Sequence, residues 1–417
     1  MREMKNSGVA WIGEIPAEWS LIRFKDKYVN KKEVVGDKSS EYERLALTLN
    51  GVIKRPKDDA EGLQPKEFDG YQILRKNDFV FKMIDLQNIS TSRVGLSPYT
   101  GLVSPAYIKF SPRKEGQNNK FVYYYLMSLY YNCVYNNLGG NGVRSALNAK
   151  DMGEFVIPYP YETLQTQIAA LLDVKSAQID ILIANQEAQT EKLKQYKQSL
   201  ITEVVTKGLN PDVEMKDSGV EWIGEIPKHW CIKRGKAVLN NLTRKVEPDM
   251  DVITCFRDGE VTLRKNRREE GFTFSDKEIG YQGIYSGDLV IHGMDGFAGA
   301  IGISDSKGKG SPILIVCNSN ENKSYLMFYL RTLAYRKIFL ALSTGIRVRS
   351  CDLRWNKLSV LPFVIPPKKE QDEIIDFLYN KCSQIDKLIE IKQSKIAKLN
   401  EYKKSLIYEY VTGKKEA

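Results

Sequence analysis

The most regular feature of the chain is a pair of long segments in which apolar residues recur every three or four positions. No glycine or proline interrupts either segment before its end, and prolines stand just before each one, at positions 158 and 160 and at positions 366 and 367. This spacing predicts two long helices, of which the first, over residues 161–207, would extend about 70 Å. The expected stripe residues are Ile179, Leu182, Ile183, Leu193, Tyr196 and Leu200 in the first helix and Ile385, Leu388, Ile389, Ile396, Leu399, Tyr402 and Leu406 in the second.

An apolar stripe on so long a helix must be covered. Because the chain contains two helices of matching length and pattern, we predict that they cover each other as an intramolecular antiparallel coiled coil. Two alternatives remain open: each helix could pair with its copy in another molecule, which would produce an oligomer, or both could be core helices of independent domains.

The chain also repeats itself. SGVAWIGEIPAEW begins at Ser7 and SGVEWIGEIPKHW begins at Ser218; residues 4–25 and 215–236 share 14 identities in 22 positions. The long helices match as well, with 16 identities in 32 positions between residues 175–206 and residues 381–412. Each half therefore has a retained start, a divergent middle and a retained end. Joining the C-terminus to the N-terminus would recreate the internal junction, which predicts that the termini lie close together.

The divergent middles contain predicted elements in the same order. Residues 77–83, 101–110 and 121–131 predict strand, strand and then helix or strand, and residues 287–294, 310–317 and 324–335 follow the same order. The predicted fold is mixed α/β (α+β), with two globular domains related by pseudo-twofold symmetry and separated by two long antiparallel helices. The expected boundaries are 1–158 and 212–366 for the globular domains and 159–211 and 367–417 for the helices.

Composition gives a weak indication of a polyanionic partner. Lys and Arg number 62 and Asp and Glu 52, so the net charge is +10 and the pI is near 9.0. No apolar run has the length of a signal peptide or of a membrane span, and we expect a cytoplasmic protein. The six cysteines are scattered singly, which fits a reducing compartment and argues against a zinc site.

Motifs for catalysis are missing. With two histidines in the chain, histidine-based triads and multi-histidine metal sites are nearly excluded. The chain has no P-loop pattern, no G-x-G-x-x-G opening a helix, and neither the Asn-Pro-Pro-Tyr nor the Asp-Pro-Pro-Tyr motif of amino-methyltransferases. The nuclease-like string at residues 211–216 lies on one short stretch and favours a turn. We therefore expect no metal site and no catalytic residue in this chain.

The doubled arrangement resembles the specificity subunit of type I restriction-modification systems. The motifs are WIGEIPxxW opening each half, the GD-V and SP strands, FVIPxP, and a long helix with QID-LI and KL--YK-SLI-E-VT. One departure is visible: Glu370-Gln371 opens the second helix, whereas Leu164-Gln165 stands at the start of the first.

The resemblance implies a DNA-binding scaffold without catalytic activity. Each middle would be a target recognition domain for one half of a split sequence in double-stranded DNA, and the coiled coil would set the distance between the halves. Two modification subunits with S-adenosylmethionine would methylate adenine at N6, and restriction subunits using ATP and Mg²⁺ would join them; no cofactor is expected in this chain. Phosphate contacts need Lys and Arg, and base contacts need polar or apolar side chains in the major groove. Candidates are Lys54, Arg55, Lys57, Gln87, Asn88, Arg93 and Arg144 in the first middle and Arg257, Arg264, Lys265, Arg267, Arg268, Arg347 and Arg349 in the second.

Several alternatives stay open at this point. Each candidate cation could be an ordinary solvated side chain, and Arg144 and Arg349, which occur in register, could hold their loops through ion pairs. Trp11, Trp19, Trp222 and Trp230 favour packing over base stacking, because isoleucines flank them. A partner-docking role is the alternative for them, because their segments are alike in both halves. For the whole chain, the rival hypotheses are a tandem coiled-coil scaffold without DNA specificity and a stand-alone nuclease or methyltransferase.

Overall fold

The described chain divides into two compact units. The computed structural model describes residues 2–59, 67–86, 88, 93–115, 117–138, 146–267, 279–342 and 353–417. The first unit contains Met1–Gln186 together with Ser394–Ala417, and the second contains Glu187–Gln393. Each unit therefore takes its globular part from one repeat and includes a helix segment from the other.

The first globular part is built from short strands and helices. Its strands are β1 (Met4–Asn6), β2 (Glu14–Pro16), β3 (Ser20–Arg23), β4 (Tyr28–Val29), β5 (Arg44–Thr48), β6 (Gly51–Arg55), β7 (Gln72–Leu74), β8 (Phe79–Phe81), β9 (Val94–Leu96), β10 (Gly101–Val103), β11 (Ile108–Pro112) and β12 (Val156–Tyr159). Its helices are α1 (Phe24–Lys27), α2 (Lys120–Tyr131), α3 (Val134–Leu138) and α4 (Ala149–Gly153), and the first long helix, α5 (Glu162–Lys207), follows them.

The second globular part has corresponding elements. Its strands are β13 (Met215–Asp217), β14 (Glu225–Pro227), β15 (Cys231–Arg234), β16 (Asn240–Leu242), β17 (Ile253–Cys255), β18 (Val261–Leu263), β19 (Gln282–Ile284), β20 (Leu289–His292), β21 (Ile301–Ile303), β22 (Gly308–Gly310), β23 (Leu314–Asn318) and β24 (Pro362–Ile365). Its helices are α6 (Gly235–Val238), α7 (Lys323–Tyr335), α8 (Ile338–Ala341) and α9 (Trp355–Leu358), and the second long helix, α10 (Lys368–Val411), follows them.

The two globular parts share the topology of one four-stranded sheet, while β5, β6, β7 and β10 form a second four-stranded sheet and their counterparts β17–β18 and β19–β22 form two two-stranded sheets. The first has a four-stranded sheet in the order β4-β11-β8-β9, and the second has the corresponding order β16-β23-β20-β21. In each part a hairpin comes earlier in the chain than strand β8 or β20 of that sheet. It is β5–β6 in the first part and β17–β18 in the second. The mixed α/β fold predicted from the sequence is thus confirmed, with the same strand order in this sheet of both middles.

Two predicted strands are each split into two. The segment 101–110 forms β10 and β11, and the segment 310–317 contains the end of β22 and most of β23. Pro105 and Pro312 lie between the strands of each pair, and because proline has no backbone N–H it cannot donate within a sheet. The third segments, which left helix or strand open, are the helices α2 and α7.

Each long helix is shared between the units. In the second unit, Lys197 Nζ donates to the carboxylate of Asp386 and Lys392 Nζ donates to Gln189 Oε1. Because residue 197 follows residue 189 while residue 386 precedes residue 392, the α5 and α10 segments of this unit run antiparallel. This confirms the predicted direction of the intramolecular pairing.

The apolar stripe differs in part from the prediction. Ile179, Ile385 and Leu406 are buried, and Ile183, Leu193, Leu200, Ile389, Ile396 and Leu399 are partly buried. Leu182, Tyr196, Leu388 and Tyr402 are exposed by 46–57%, so the prediction that they pack between the helices is wrong. The less exposed positions are spaced alternately three and four residues apart, and polar residues occupy several of them. These are Gln186, Thr190 and Lys197 in α5 and Lys392 and Lys403 in α10.

Tryptophans of the repeated motif pack where each long helix ends. Trp19 and Trp230 are 1% exposed, which confirms their packing role. Gly208, just after α5, has φ +81°, and a Cβ there would lie 3.1 Å from the Trp230 ring; Gly413, just after α10, has φ +71° and the same 3.1 Å approach to the Trp19 ring. Glycine fits because an L side chain is strained at these φ values and would press on the indole.

The start of α10 binds the second tryptophan. Glu370 Oε2 accepts hydrogen bonds from Trp230 Nε1 at 2.9 Å and from His229 Nε2 at 2.8 Å. At the equivalent position in α5 stands Leu164, and Trp19 Nε1 is buried without a hydrogen-bond partner in the described structure. The departure noted in the sequence therefore removes one acceptor, while the helix start itself is retained.

Candidate nucleic-acid interface

The first group of predicted DNA contacts lies on and just after the β5–β6 hairpin. Lys54 Nζ is 2.6 Å from Glu43 Oε2, and this hydrogen bond raises the pKa of Lys54. Arg55 Nε is 2.6 Å from Asp59 Oδ2, and Lys57 Nζ donates to a backbone carbonyl oxygen at 2.6 Å. All three cations are thus bound by protein groups, with which a DNA phosphate would compete.

The equivalent hairpin of the second unit has a similar arrangement. Lys265 Nζ is 2.5 Å from Asp251 Oδ2, and this hydrogen bond lowers the pKa of the carboxyl group. Arg267 lies between two carboxylates, 2.7 Å from Asp258 and 2.9 Å from Glu260. The basic run identified in the sequence is therefore interleaved with acids that the run itself does not contain.

Two further cations of the second unit lie on the same hairpin. Arg264 Nε is 3.3 Å from Thr254 Oγ1, and Arg257, in the turn between β17 and β18, is 2.8 Å from Asp295 Oδ1. The Arg257 side chain is 67% exposed and that of Lys265 is 65% exposed. Ion pairs this exposed contribute about 0–1 kcal/mol, so exchange of a carboxylate for a DNA phosphate costs little.

A second group of candidates lies where the chain leaves strand β8. We call residues 82–86 the β8 loop. The Arg93 guanidinium donates to the backbone carbonyls of this loop at 3.2 Å (Lys82), 2.7 Å (Ile84) and 2.7 Å (Asp85), and also to the carbonyl of Asn88. The loop is thus wrapped around a single cation, and Asn88 itself is exposed.

Arg93 is not a DNA contact in this structure. Its side chain is completely buried, and burial lowers its pKa. A buried guanidinium is tolerated only when hydrogen bonds replace its water, which the loop carbonyls do here for both terminal nitrogens, although Nε has no partner in the described structure. The prediction that Arg93 contacts DNA is therefore wrong: the residue holds the loop from inside.

The corresponding loop of the second unit is held by a histidine. We call residues 293–299 the β20 loop. His292 Nδ1 accepts hydrogen bonds from the backbone N–H groups of Met294 at 3.3 Å and Asp295 at 2.9 Å, which requires an unprotonated Nδ1. Burial lowers the pKa of His292, so the neutral ring is the favoured form.

Both loops are tied to equivalent segments. The backbone N–H of Leu147 donates to Met83 O at 3.0 Å in the first unit, and that of Leu353 donates to Gly293 O at 2.8 Å in the second. Residue 147 follows the segment with the candidate Arg144, and residue 353 follows the segment with Arg347 and Arg349. The candidates Gln87, Arg144, Arg268, Arg347 and Arg349 lie outside the described residues.

Sequence reasoning identified the cations and missed their surroundings. The carboxylates that pair with these cations lie between 4 and 38 residues away along the chain, and His292 bonds backbone groups two and three residues ahead. Residue type alone does not show either contact. Among the described residues, no three or more His, Cys, Asp or Glu side chains are grouped so that they could hold a metal ion. In the same part of the chain, every helix is too short or too polar to span a membrane.

A segment of the chain matches a known family of domains. Residues 27–194 match the family described as the type I restriction modification DNA specificity domain. The resemblance to this class of DNA specificity domain, drawn from the sequence, is thus confirmed.

Similarity extends over nearly the whole chain. The type I restriction enzyme MjaVIII specificity subunit of Methanocaldococcus jannaschii is 23% identical over 420 residues, which cover 96% of this chain and 93% of that protein. A chain from a structure titled "Structural basis underlying complex assembly and conformational transition of the type I R-M system" shares the fold, with a TM-score of 0.69, 13% identity and coverage of 95% of this chain and 98% of that one. The crystal structure of the HsdS subunit from Thermoanaerobacter tengcongensis aligns with a TM-score of 0.49 and 13% identity over 98% of this chain and 99% of that one.

Proposed function

We propose that this protein is the DNA sequence-recognition subunit of a type I restriction-modification complex and has no catalytic activity of its own. The observation that supports this most directly is a four-stranded sheet present twice in the same strand order but with different side chains around it, in a chain similar over 96% of its length to a specificity subunit. Two versions of one fold with different surfaces suit two different DNA half-sites. We place the protein in the cytoplasm, with the host DNA.

In this proposal each globular part binds one half-site. Residues 1–158 and 212–366 act as target recognition domains, and residues 159–211 and 367–417 form the spacer between them. The hairpin cations contact phosphates, and the β8 and β20 loops, with the adjoining segments, approach the bases. The proposed contacts are Lys54, Arg55, Lys57, Gln87, Asn88 and Arg144 in the first domain and Arg257, Arg264, Lys265, Arg267, Arg268, Arg347 and Arg349 in the second.

The partners in this proposal are two modification subunits and, where the system also restricts, two ATP-dependent restriction subunits. S-adenosylmethionine, ATP and Mg²⁺ are bound by those partners. Support for two copies of one partner comes from the exposed residues of the long helices: Leu182 and Tyr402 in the first unit correspond in the repeat to Leu388 and Tyr196 in the second. Identical apolar side chains left exposed at equivalent positions suit two identical docking sites.

The function is tested by co-expressing the chain with the modification subunit of its host and mapping N6-methyladenine across the genome by single-molecule sequencing. A split motif of two short half-sites with a fixed spacer is the expected result. A stable complex that adds no methylation would favour the rival function, a coiled-coil scaffold without DNA specificity.

The docking site is tested by stoichiometry. Replacing Tyr196 and Leu388 by serine should lower the number of bound modification subunits from two to one in native mass spectrometry, because the first unit keeps its site. Ile391→Ser is the matched control: Ile391 is 62% exposed on the same helix, but its repeat counterpart is Asn185. An unchanged stoichiometry in the double variant, or an equal loss in the control, would contradict the assignment.

The absence of catalysis is tested with the chain alone. Incubated with duplex DNA, Mg²⁺ and S-adenosylmethionine, the purified protein should neither cut nor methylate. Turnover in that mixture would support the rival hypothesis of a stand-alone nuclease or methyltransferase.

A further inference from the structure

Ile84 and Met294 occupy the same position in the two units. Each stands immediately after the loop residue whose carbonyl accepts the N–H of Leu147 or Leu353, the leucines that shortly follow the Val-Arg-Ser triplets of the two halves. Each is followed by an aspartate, Asp85 or Asp295, although the surrounding sequences have diverged.

Both side chains are large, apolar and exposed. The Ile84 side chain is 43% exposed. The neighbouring apolar residues of the loop, Met83 and Leu86, are by contrast only 1% and 0% exposed. Met294 is 48% exposed. An isolated exposed apolar residue is ordinary, but the same exposure at the same place in two divergent loops indicates a shared use.

The loops are fixed so that these side chains stay outside. Arg93 binds the Ile84 carbonyl from the interior, and His292 accepts the Met294 N–H. The backbone of Ile84 is thus bonded to a buried group and that of Met294 to a half-buried one, and moving either segment so that the side chain enters the core would break those bonds. Holding the contact residue in place before binding reduces the entropy that binding must overcome.

We propose, on the basis of the proposed function, that Ile84 and Met294 are specificity-determining residues that contact the 5-methyl group of a thymine in the major groove, one in each half-site. Thymine is the base that presents a methyl group there, and apolar side chains recognise it by contact. Against any other base, the same side chain would cover hydrogen-bonding groups without satisfying them, which disfavours binding. Arg93 and His292 are positioning residues that act through the loops.

The test uses duplexes with the split motif obtained from the methylation map, in which thymines are replaced one at a time by uracil to remove the methyl group. Affinity is measured for the complex of the full chain with its modification subunit. For the unaltered protein, uracil at one position of each half-site should weaken binding about fourfold, the value expected for one buried methyl group. Ile84→Ala should abolish this uracil effect in one half-site and Met294→Ala in the other, so each variant is the control for its counterpart.

Val174→Ala and Val360→Ala, at side chains exposed by 55% and 60%, should leave both uracil effects unchanged. The proposal is overturned if no thymine responds to uracil in the unaltered complex, or if both alanine variants keep the full response. Failure of the proposed function looks different, since no split methylation motif would then be obtained.

Discussion

Lys197 and Asp386 form an ion pair, with Nζ 2.6 Å from Oδ2, that joins α5 to α10 in the second unit. In the first unit Lys403 and Asp180 form the same pair at 2.7 Å. Each residue lies 206 positions from its counterpart, so each lysine bonds the aspartate of the other repeat. Neither repeat thus completes a unit by itself.

Reversing one charge should weaken the second unit modestly. We expect Lys197→Glu to lower the free energy of unfolding by about 0.5–1 kcal/mol, since the pair is partly exposed, and Asp386→Lys added to it to restore most of that loss. Urea unfolding of the two single variants and the double variant gives the coupling energy. The same cycle on Lys403 and Asp180 is the matched comparison, and salt should weaken both couplings. A coupling of zero at low salt would show that the pairs contribute no stability.

Glu370→Leu should destabilise the second unit by about 1–3 kcal/mol, because it leaves the Trp230 N–H buried without an acceptor. Glu370→Gln keeps an acceptor oxygen and should cost clearly less. Urea unfolding followed by tryptophan fluorescence compares the two. Equal losses would show that charge, and not the hydrogen bond, is what Glu370 provides.

Acidification should weaken the β20 loop through His292. Burial and the nearby Arg257 lower its pKa below the ordinary 6.5, whereas Asp295 opposes this. Between the two pKa values the unfolded chain binds more protons than the folded chain, so stability is lost as pH falls through 6.5.

The free energy of unfolding at pH 7.5 and pH 5.5 measures this loss. His292→Asn keeps an acceptor near the position of Nδ1 and cannot titrate, so its loss on acidification should be smaller than that of the unaltered chain. His229 is present in both proteins and cancels in the comparison. An identical pH dependence of the two proteins would show that His292 does not cause the loss of stability on acidification.

A circular permutant opened between Asn210 and Pro211, with Ala417 joined to Met1 by a short Gly-Ser linker, should fold. The end of the chain already contacts its beginning: Tyr408 Oη donates to Ile12 O at 3.1 Å and Lys414 Nζ to the same oxygen at 3.2 Å. Native-like circular dichroism and binding of the modification subunit are the expected results. A permutant that neither folds nor binds would contradict the cyclic arrangement inferred from the repeat.

Sequence reasoning worked where the signal was local or repeated. Identity between the halves, the glycine-free helices and the strand segments at 77–83 and 287–294 all depend on residues near one another in the chain. The predicted apolar stripe was wrong at positions where an apolar side chain is exposed or a charged one is partly covered. Tyr196 and Leu388 are apolar and exposed, whereas Lys197 lies between the helices because its long apolar stem is buried while its charge reaches Asp386.

Arg93 shows the same limit in the candidate site. An arginine in a polar loop is typical of a phosphate contact, and only the converging carbonyls of the β8 loop show that it points inward. The sequence alone determined that this protein contains one fold twice and two long helices, because sequence repetition and apolar periodicity are properties of the chain. Which helix segment completes which unit, and which cations face outward, was decided by tertiary contacts between residues up to 402 positions apart, which no local pattern encodes.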